Sequence, residues 1–136
     1  MRLTSRYRFC ASHRLDTAAL TPEENRTLYG KCNNPHGHGH DYVLEVTVDG
    51  RVDEHGQVVN REAMDALVEE RVLRRLDHKN LNADVPEFAT SVPTTENLAT
   101  LVREALAEGW TLPARLARVR ISETARNTFE LEVPQE

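Results

Sequence analysis

The chain opens on a repeat of two. Over residues 2–14, Leu3, Ser5, Tyr7, Phe9, Ala11 and His13 fall on one side, and Arg2, Arg6, Arg8 and Arg14 on the other. A single apolar side at this period predicts a half-buried strand. Residues 41–49 repeat the pattern, with Tyr42, Leu44, Val46 and Val48 on the apolar side and Glu45, Thr47 and Asp49 on the polar side. "DGRVDEHGQ" reads as a turn-rich connection. Asn60 then caps a helix that carries Met64, Leu67, Val68, Val72 and Leu76 at helical spacing. "NADVPEFATSVP" reads as a loop. Thr94 or Thr95 caps a second helix with Leu98, Leu101, Val102, Ala105 and Leu106 on one side and Gly109 as its stop. In a third strand Ala117, Val119, Ile121 and Glu123 share a face. In a fourth, Phe129, Leu131 and Val133 lie opposite Thr128, Glu130 and Glu132, after a hairpin turn at "TARN". The order β-β-α-α-β-β predicts an α+β fold: a four-stranded antiparallel sheet with two helices covering its apolar face.

Composition narrows this picture. A length of 136 residues suits one domain, 1–136, with a modest core. Small domains with few aromatic residues often gain stability by assembling. The net charge of -5, with no block of like charge, argues against general nucleic-acid binding. No apolar run approaches the roughly 18 residues of a membrane span, and the N-terminus lacks the apolar stretch of a secretory signal, so a cytoplasmic protein is expected. The two cysteines, Cys10 and Cys32, are too few for a disulfide framework. Arginine supplies almost all the positive charge; the only lysines, Lys31 and Lys79, both fall inside motifs described below.

Strand parity brings out the candidate chemistry. Side chains alternate between faces, so His13 shares the apolar side of the first strand with Phe9 and Ala11. His38 and His40 share that of the second with Tyr42, and Glu123 that of the third with Ile121. A lone histidine on an apolar face is usually a satisfied core residue. Three histidines and a carboxylate on matching faces are harder to dismiss. Three neutral imidazoles with an open fourth position form a known kind of catalytic zinc site. In "KCNNPHGHGHDY", parity cannot choose between His36–His38 and His38–His40. The flanks favour the second pair: Pro35 lacks an N–H and leaves His36 on the loop side, while His40 runs into the strand. Cys32 reads either as a small buried hydrophobe or as a thiolate base whose pKa a nearby cation would lower. Cys10 falls on the arginine-rich face and receives no role. Asp77-His78 reads equally as an acid–base pair or as a helix end with His78 and Lys79 set against the helix dipole.

The motifs "FCASH", "CNNPHGHGHDY", "GQVVN", "LDHKNLNADVPEF", "PTTEN" and "ISET" follow one another in this order. With them the chain resembles, nearly end to end, the family of 6-pyruvoyl-tetrahydropterin synthase and 6-carboxytetrahydropterin synthase. The resemblance implies the tunnelling fold, in which sheets of three subunits close into a barrel and two trimers stack into a homohexamer. It implies a small-molecule pterin substrate, 7,8-dihydroneopterin triphosphate, and a Zn2+ ion held by His13, His38 and His40. It implies that Cys32 is the catalytic cysteine, assisted by Asp77 and His78 from a neighbouring subunit. It implies that Glu123 anchors the pterin ring and that Thr94, Thr95 and Glu96 line its pocket. Lys31 is a candidate for the triphosphate on charge and position alone. Histidine replaces the usual asparagine at position 36, which creates a second spacing, Cys32-His36-His38, used by many carboxy-type enzymes. The pyruvoyl-type reaction is the first expectation, on "CNNP" and "LDHKNLN". The carboxy-type reaction, which releases acetaldehyde on the route to queuosine and other deazapurines, is the alternative. A non-catalytic pterin- or metal-binding module and a structural zinc domain are the readings from other classes.

Overall fold

The computed structural model describes residues 1–135. The elements in chain order are β1 (Arg2–His13), α1 (Pro22–Tyr29), a 3-10 turn (Gly30–Asn33), β2 (His38–Asp49) and α2 (Arg61–Val68). A π-helical turn (Glu69–Leu73) joins α2 to α3 (Arg74–Leu76). Next come β3 (Lys79–Asn80), α4 (Leu81–Asp84), a second 3-10 turn (Pro86–Ala89), α5 (Thr95–Gly109), β4 (Arg115–Thr124) and β5 (Asn127–Glu132). The strands lie in the order β3-β1-β2-β4-β5. β1, β2, β4 and β5 pair antiparallel, as the alternation predicts. The expected four strands become five, because Lys79–Asn80 pairs parallel with Ala11 and Ser12 at the edge of β1. Two residues are too short for any periodicity to reveal.

The helices cover one face. Phe9, Tyr42, Leu44, Val46, Val48, Val119 and Ile121 point inward and join one buried cluster with Met64, Val68, Val72 and Leu76 and with Leu98, Val102 and Leu106. The π-helical turn follows from the spacing of that first helical stripe. Met64, Val68, Val72 and Leu76 recur every four residues, whereas an α-helix turns every 3.6. Over three such steps a regular helix would rotate the stripe by roughly 120° away from the sheet. One wider turn absorbs the excess, and all four residues stay buried.

Two irregularities of β4 also depart from simple alternation. A register shift opposite Thr47 and Val48 pairs Leu116 with Val48 in the core. Strict alternation would have put Leu116 outside. A second shift leaves Glu123 between Ser122 and Thr124 without a partner on β5. Such bulges re-aim side chains near sites.

Residues 14–37, which periodicity left unassigned, form a polar lobe. Thr21 and Glu24 cap α1 reciprocally. Buried Asn25 accepts from Thr17 N–H at 2.9 Å and donates to the carbonyls of Thr17 and Thr21 at 3.0 and 3.1 Å. Asn33 donates to the Leu15 carbonyl at 2.7 Å and to Asp16 at 2.9 Å. Replacing Asn25 with alanine strands these buried groups and should cost about 2–3 kcal/mol. Denaturant unfolding checks it, and a loss below about 0.5 kcal/mol would show that the lobe does not depend on this amide. The expected loop "NADVPEFATSVP" carries α4 and the second 3-10 turn, each of four residues. Among the described residues no helix is long and apolar enough to cross a membrane.

Candidate active site

One end of the sheet gathers the histidines. His13 closes β1 and lies opposite His38 at the start of β2, and Ala11 lies opposite His40. Gly37 has a positive φ of 77°, and a Cβ there would sit 2.6 Å from the His13 carbonyl oxygen. Only glycine lets the chain turn this close to β1 and enter β2 in register. His36 lies before that turn and is exposed.

Three imidazole nitrogens converge. His40 Nε2 lies 3.1 Å from His13 Nε2 and 3.3 Å from His38 Nδ1. Glu123 Oε1 is 3.1 Å from His40 Nε2 and 3.6 Å from His13 Nε2. Cys32 Sγ, carried by the turn after α1, is 3.7 Å from His40 Nε2. One ligand atom from each of His13, Cys32, His40 and Glu123 falls within 4.8 Å of the others, so this group could hold a metal ion. Nitrogens arranged tetrahedrally at about 2.0–2.1 Å from zinc would stand about 3.3 Å apart. The two distances from His40 match this spacing, although His38 lies outside the four-residue group. Facing lone pairs at this distance repel unless a cation or a proton lies between them.

The second ring nitrogen of His13 fixes its tautomer. His13 is buried, and its Nδ1 lies 2.9 Å from the Pro93 carbonyl, which can only accept. Nδ1 therefore carries the proton and donates it, and the Nε2 lone pair faces the cluster, as a metal ligand requires. Burial holds the His13 and His40 pKa values below the usual range; each also feels neighbouring histidine charge, opposed by Glu123. The ligand form of both rings is thereby favoured. Burial, and then Glu123, push the Cys32 thiol pKa up, so the cation that would lower it is the metal itself. The protein groups around it favour the thiol, not the thiolate.

Asp77 and His78 do not join Cys32. Cys10 N–H donates to Asp77 Oδ1 at 2.9 Å, and His78 N–H donates to the Cys10 carbonyl at 2.6 Å. His78 Nε2 lies 3.6 Å from Asp77 Oδ2. His78 has a positive φ of 60°, unusual for a side-chain-bearing residue, and its side chain is 81% exposed. With Cys10, Ser12, His40, Asp41 and Lys79 it lines a cleft of about 550 Å³, to which Cys10, Ser12 and Asp41 belong by the outward face of their strands. Cys10 donates its thiol proton to Asp41 at 2.8 Å in that cleft.

The remaining expected residues sit at the entry to α5. Thr94 Oγ1 caps the helix by accepting from Asn97 N–H at 3.2 Å. Thr95 is buried, and its hydroxyl has no partner. Glu96 is exposed, as is Lys31 in the turn after α1. Sequence reasoning missed Tyr42 and Pro93 as neighbours of His13. Tyr42 follows the last histidine on the same face, which was a legible signal; a backbone carbonyl leaves none.

The profile of the family described as 6-pyruvoyl tetrahydropterin synthase matches residues 2–134. A 6-pyruvoyl tetrahydrobiopterin synthase of Poecilia reticulata is 50% identical over 121 residues, 88% of this chain and 81% of that protein. The Homo sapiens protein of the same name is 46% identical over 127 residues, 92% of this chain and 86% of its own. The solved structure of 6-pyruvoyl tetrahydropterin synthase from Caenorhabditis elegans superposes with a TM-score of 0.90 at 37% identity, covering 98% of this chain and 96% of that one. Near-complete coverage, high identity and a shared fold agree with the motifs: the chain belongs to the 6-pyruvoyl tetrahydropterin synthase family.

Proposed function

We propose that the chain is a zinc-dependent carbon–oxygen lyase that acts on 7,8-dihydroneopterin triphosphate with loss of triphosphate, in the manner of 6-pyruvoyl-tetrahydropterin synthase. The carrying observation is the convergence of three imidazole nitrogens beside Cys32 and Glu123, in a chain of this family. His13, His38 and His40 hold the zinc. When bound, zinc supplies a Lewis acid that acidifies C–H bonds next to side-chain hydroxyls. Cys32 accepts and returns protons at those carbons. Glu123 accepts from the amino and ring N–H groups of the pterin. Its Oε1 faces the histidines, and its second oxygen remains for this contact. The unpartnered hydroxyl of Thr95 is a further group for the pterin, with Thr94 and Glu96 beside it.

Asp77 and His78 assist Cys32 from a neighbouring copy. Their place beside Cys10, on the other sheet face, supports a site shared between subunits. Assembly into a barrel-closing trimer, paired as a homohexamer, would supply that neighbour and cover the open edges of β3 and β5. A carboxy-type reaction with release of acetaldehyde is the second reading, favoured by the Cys32-His36-His38 spacing.

The test incubates the zinc-loaded protein with 7,8-dihydroneopterin triphosphate, identifies products by mass and assays acetaldehyde. Triphosphate release without acetaldehyde is expected. Acetaldehyde would select the second reading, and no release at all would leave a binding module. Chelation of the metal should abolish turnover and leave the circular dichroism spectrum folded, because the apolar core holds none of the ligands. Unfolding on chelation would instead mark a structural zinc domain.

A further inference from the structure

Tyr42 is the most enclosed tyrosine of the chain: its relative exposure is 0%. Its ring stacks on Phe9 with centroids 5.0 Å apart and meets the His40 ring edge-on at 5.7 Å. Its hydroxyl lies 3.3 Å from His13 Nδ1. Nδ1 is thus bracketed by two oxygens, one from the Pro93 carbonyl and one from Tyr42. The carbonyl requires a proton on Nδ1, so the tyrosine oxygen lies against an N–H and serves as its second acceptor. Were Nδ1 instead to accept from the Tyr42 hydroxyl, Nε2 would carry the proton and could not bind a metal. The bracket therefore has a direction, set by the shorter contact.

From this geometry we infer that Tyr42 is a positioning residue of the metal centre: with the Pro93 carbonyl it holds the His13 ring so that Nε2 is turned, unprotonated, toward His38 and His40. Tyr42 touches no reacting atom in this arrangement. It acts through His13, and by its edge contact it also limits rotation of the His40 ring. Groups that orient a ligating histidine through its other nitrogen commonly govern metal affinity by about 10–100-fold. Tyr42 makes the longer of the two contacts, so the lower end of that range is expected.

The inference rests on the proposed zinc site, and the parent protein tests that site first. Metal-free protein is titrated with Zn2+ against a chromophoric chelator. A parent that binds no zinc removes the site itself. With a parent that binds, Tyr42→Phe should raise the zinc Kd about tenfold while the metal-free melting temperature stays close to the parent's. Phe9→Leu supplies the contrast. It loosens the packing around the Tyr42 ring without removing the hydroxyl, so it should lower the melting temperature and leave the zinc Kd unchanged. A Tyr42→Phe Kd within twofold of the parent overturns the inference. So does a Phe9→Leu protein that loses as much affinity as Tyr42→Phe. A measurement on the parent alone stands independently of both variants. Imidazole nitrogen NMR of the metal-free protein should find His13 protonated at Nδ1, and protonation at Nε2 overturns the inference.

Discussion

Cys32→Ala should lower turnover of 7,8-dihydroneopterin triphosphate by at least about 10²-fold, the usual worth of a positioned proton-transfer group, and leave zinc and pterin binding intact. The asymmetry follows from how Cys32 is held. Its carbonyl accepts from Leu15 N–H at 2.7 Å, and Asn33 beside it anchors the turn through the Leu15 carbonyl and Asp16. None of these bonds uses the thiol. The sulfur lies 3.7 Å from His40 Nε2 and holds no part of the turn, so its loss leaves the lobe and the three imidazoles in place. Turnover, zinc content and pterin affinity should be measured on one preparation. Activity within tenfold of the parent would show that Cys32 carries no proton. Joint loss of zinc and turnover would make it a metal ligand, for which its place in the metal-competent group also provides.

The second large effect is a recovery. Cys32→Ala and His78→Ala should each be inactive alone, yet regain activity when unfolded together and refolded as a mixture. Cys32 lies at the end of the apolar face, and His78 lines the cleft on the opposite face. On the proposed shared site, a complete site draws the two from different copies. Random mixing in equal amounts leaves about one site in four with both native groups in a ring of identical interfaces. About a quarter of the parent activity is therefore expected. A mixture as inactive as its components would place Cys32 and His78 in the same copy's site, or assign one of them no role.

The limits of the one-dimensional reading fall at particular residues. Alternation placed His13, His38, His40 and Glu123 on a common side, because period two is enforced by the pleat and one face must be buried. Helical spacing also gave the long helices, capped by Asn60 and by Thr94 or Thr95; the structure has Asn60 and, of the two threonines, Thr94. Extended back to Leu116, strand alternation would put it outside, where a bulge carries it in. It was silent on the lobe holding Cys32, which is built from amide-to-backbone hydrogen bonds and not from an apolar stripe. The signal for α1 stood in "TPEE", a reciprocal cap, but a single exposed helix of eight residues has little periodicity to show.

The sequence by itself determined the main strands and helices, their inward faces and the common side of His13, His38, His40 and Glu123, since these depend on local spacing and on chemistry each residue carries with it. The tertiary structure decided what depends on chains meeting in space. It set the distances of 3.1 and 3.3 Å among the imidazole nitrogens, and it brought the Pro93 carbonyl from 80 residues away to choose the tautomer of His13. It raised the Cys32 thiol pKa through burial, and then through Glu123. It also held Asp77 and His78 on the far side of β1. Long-range proximity, desolvation and the choice of face at an edge strand are properties of the packed chain, and no local pattern encodes them.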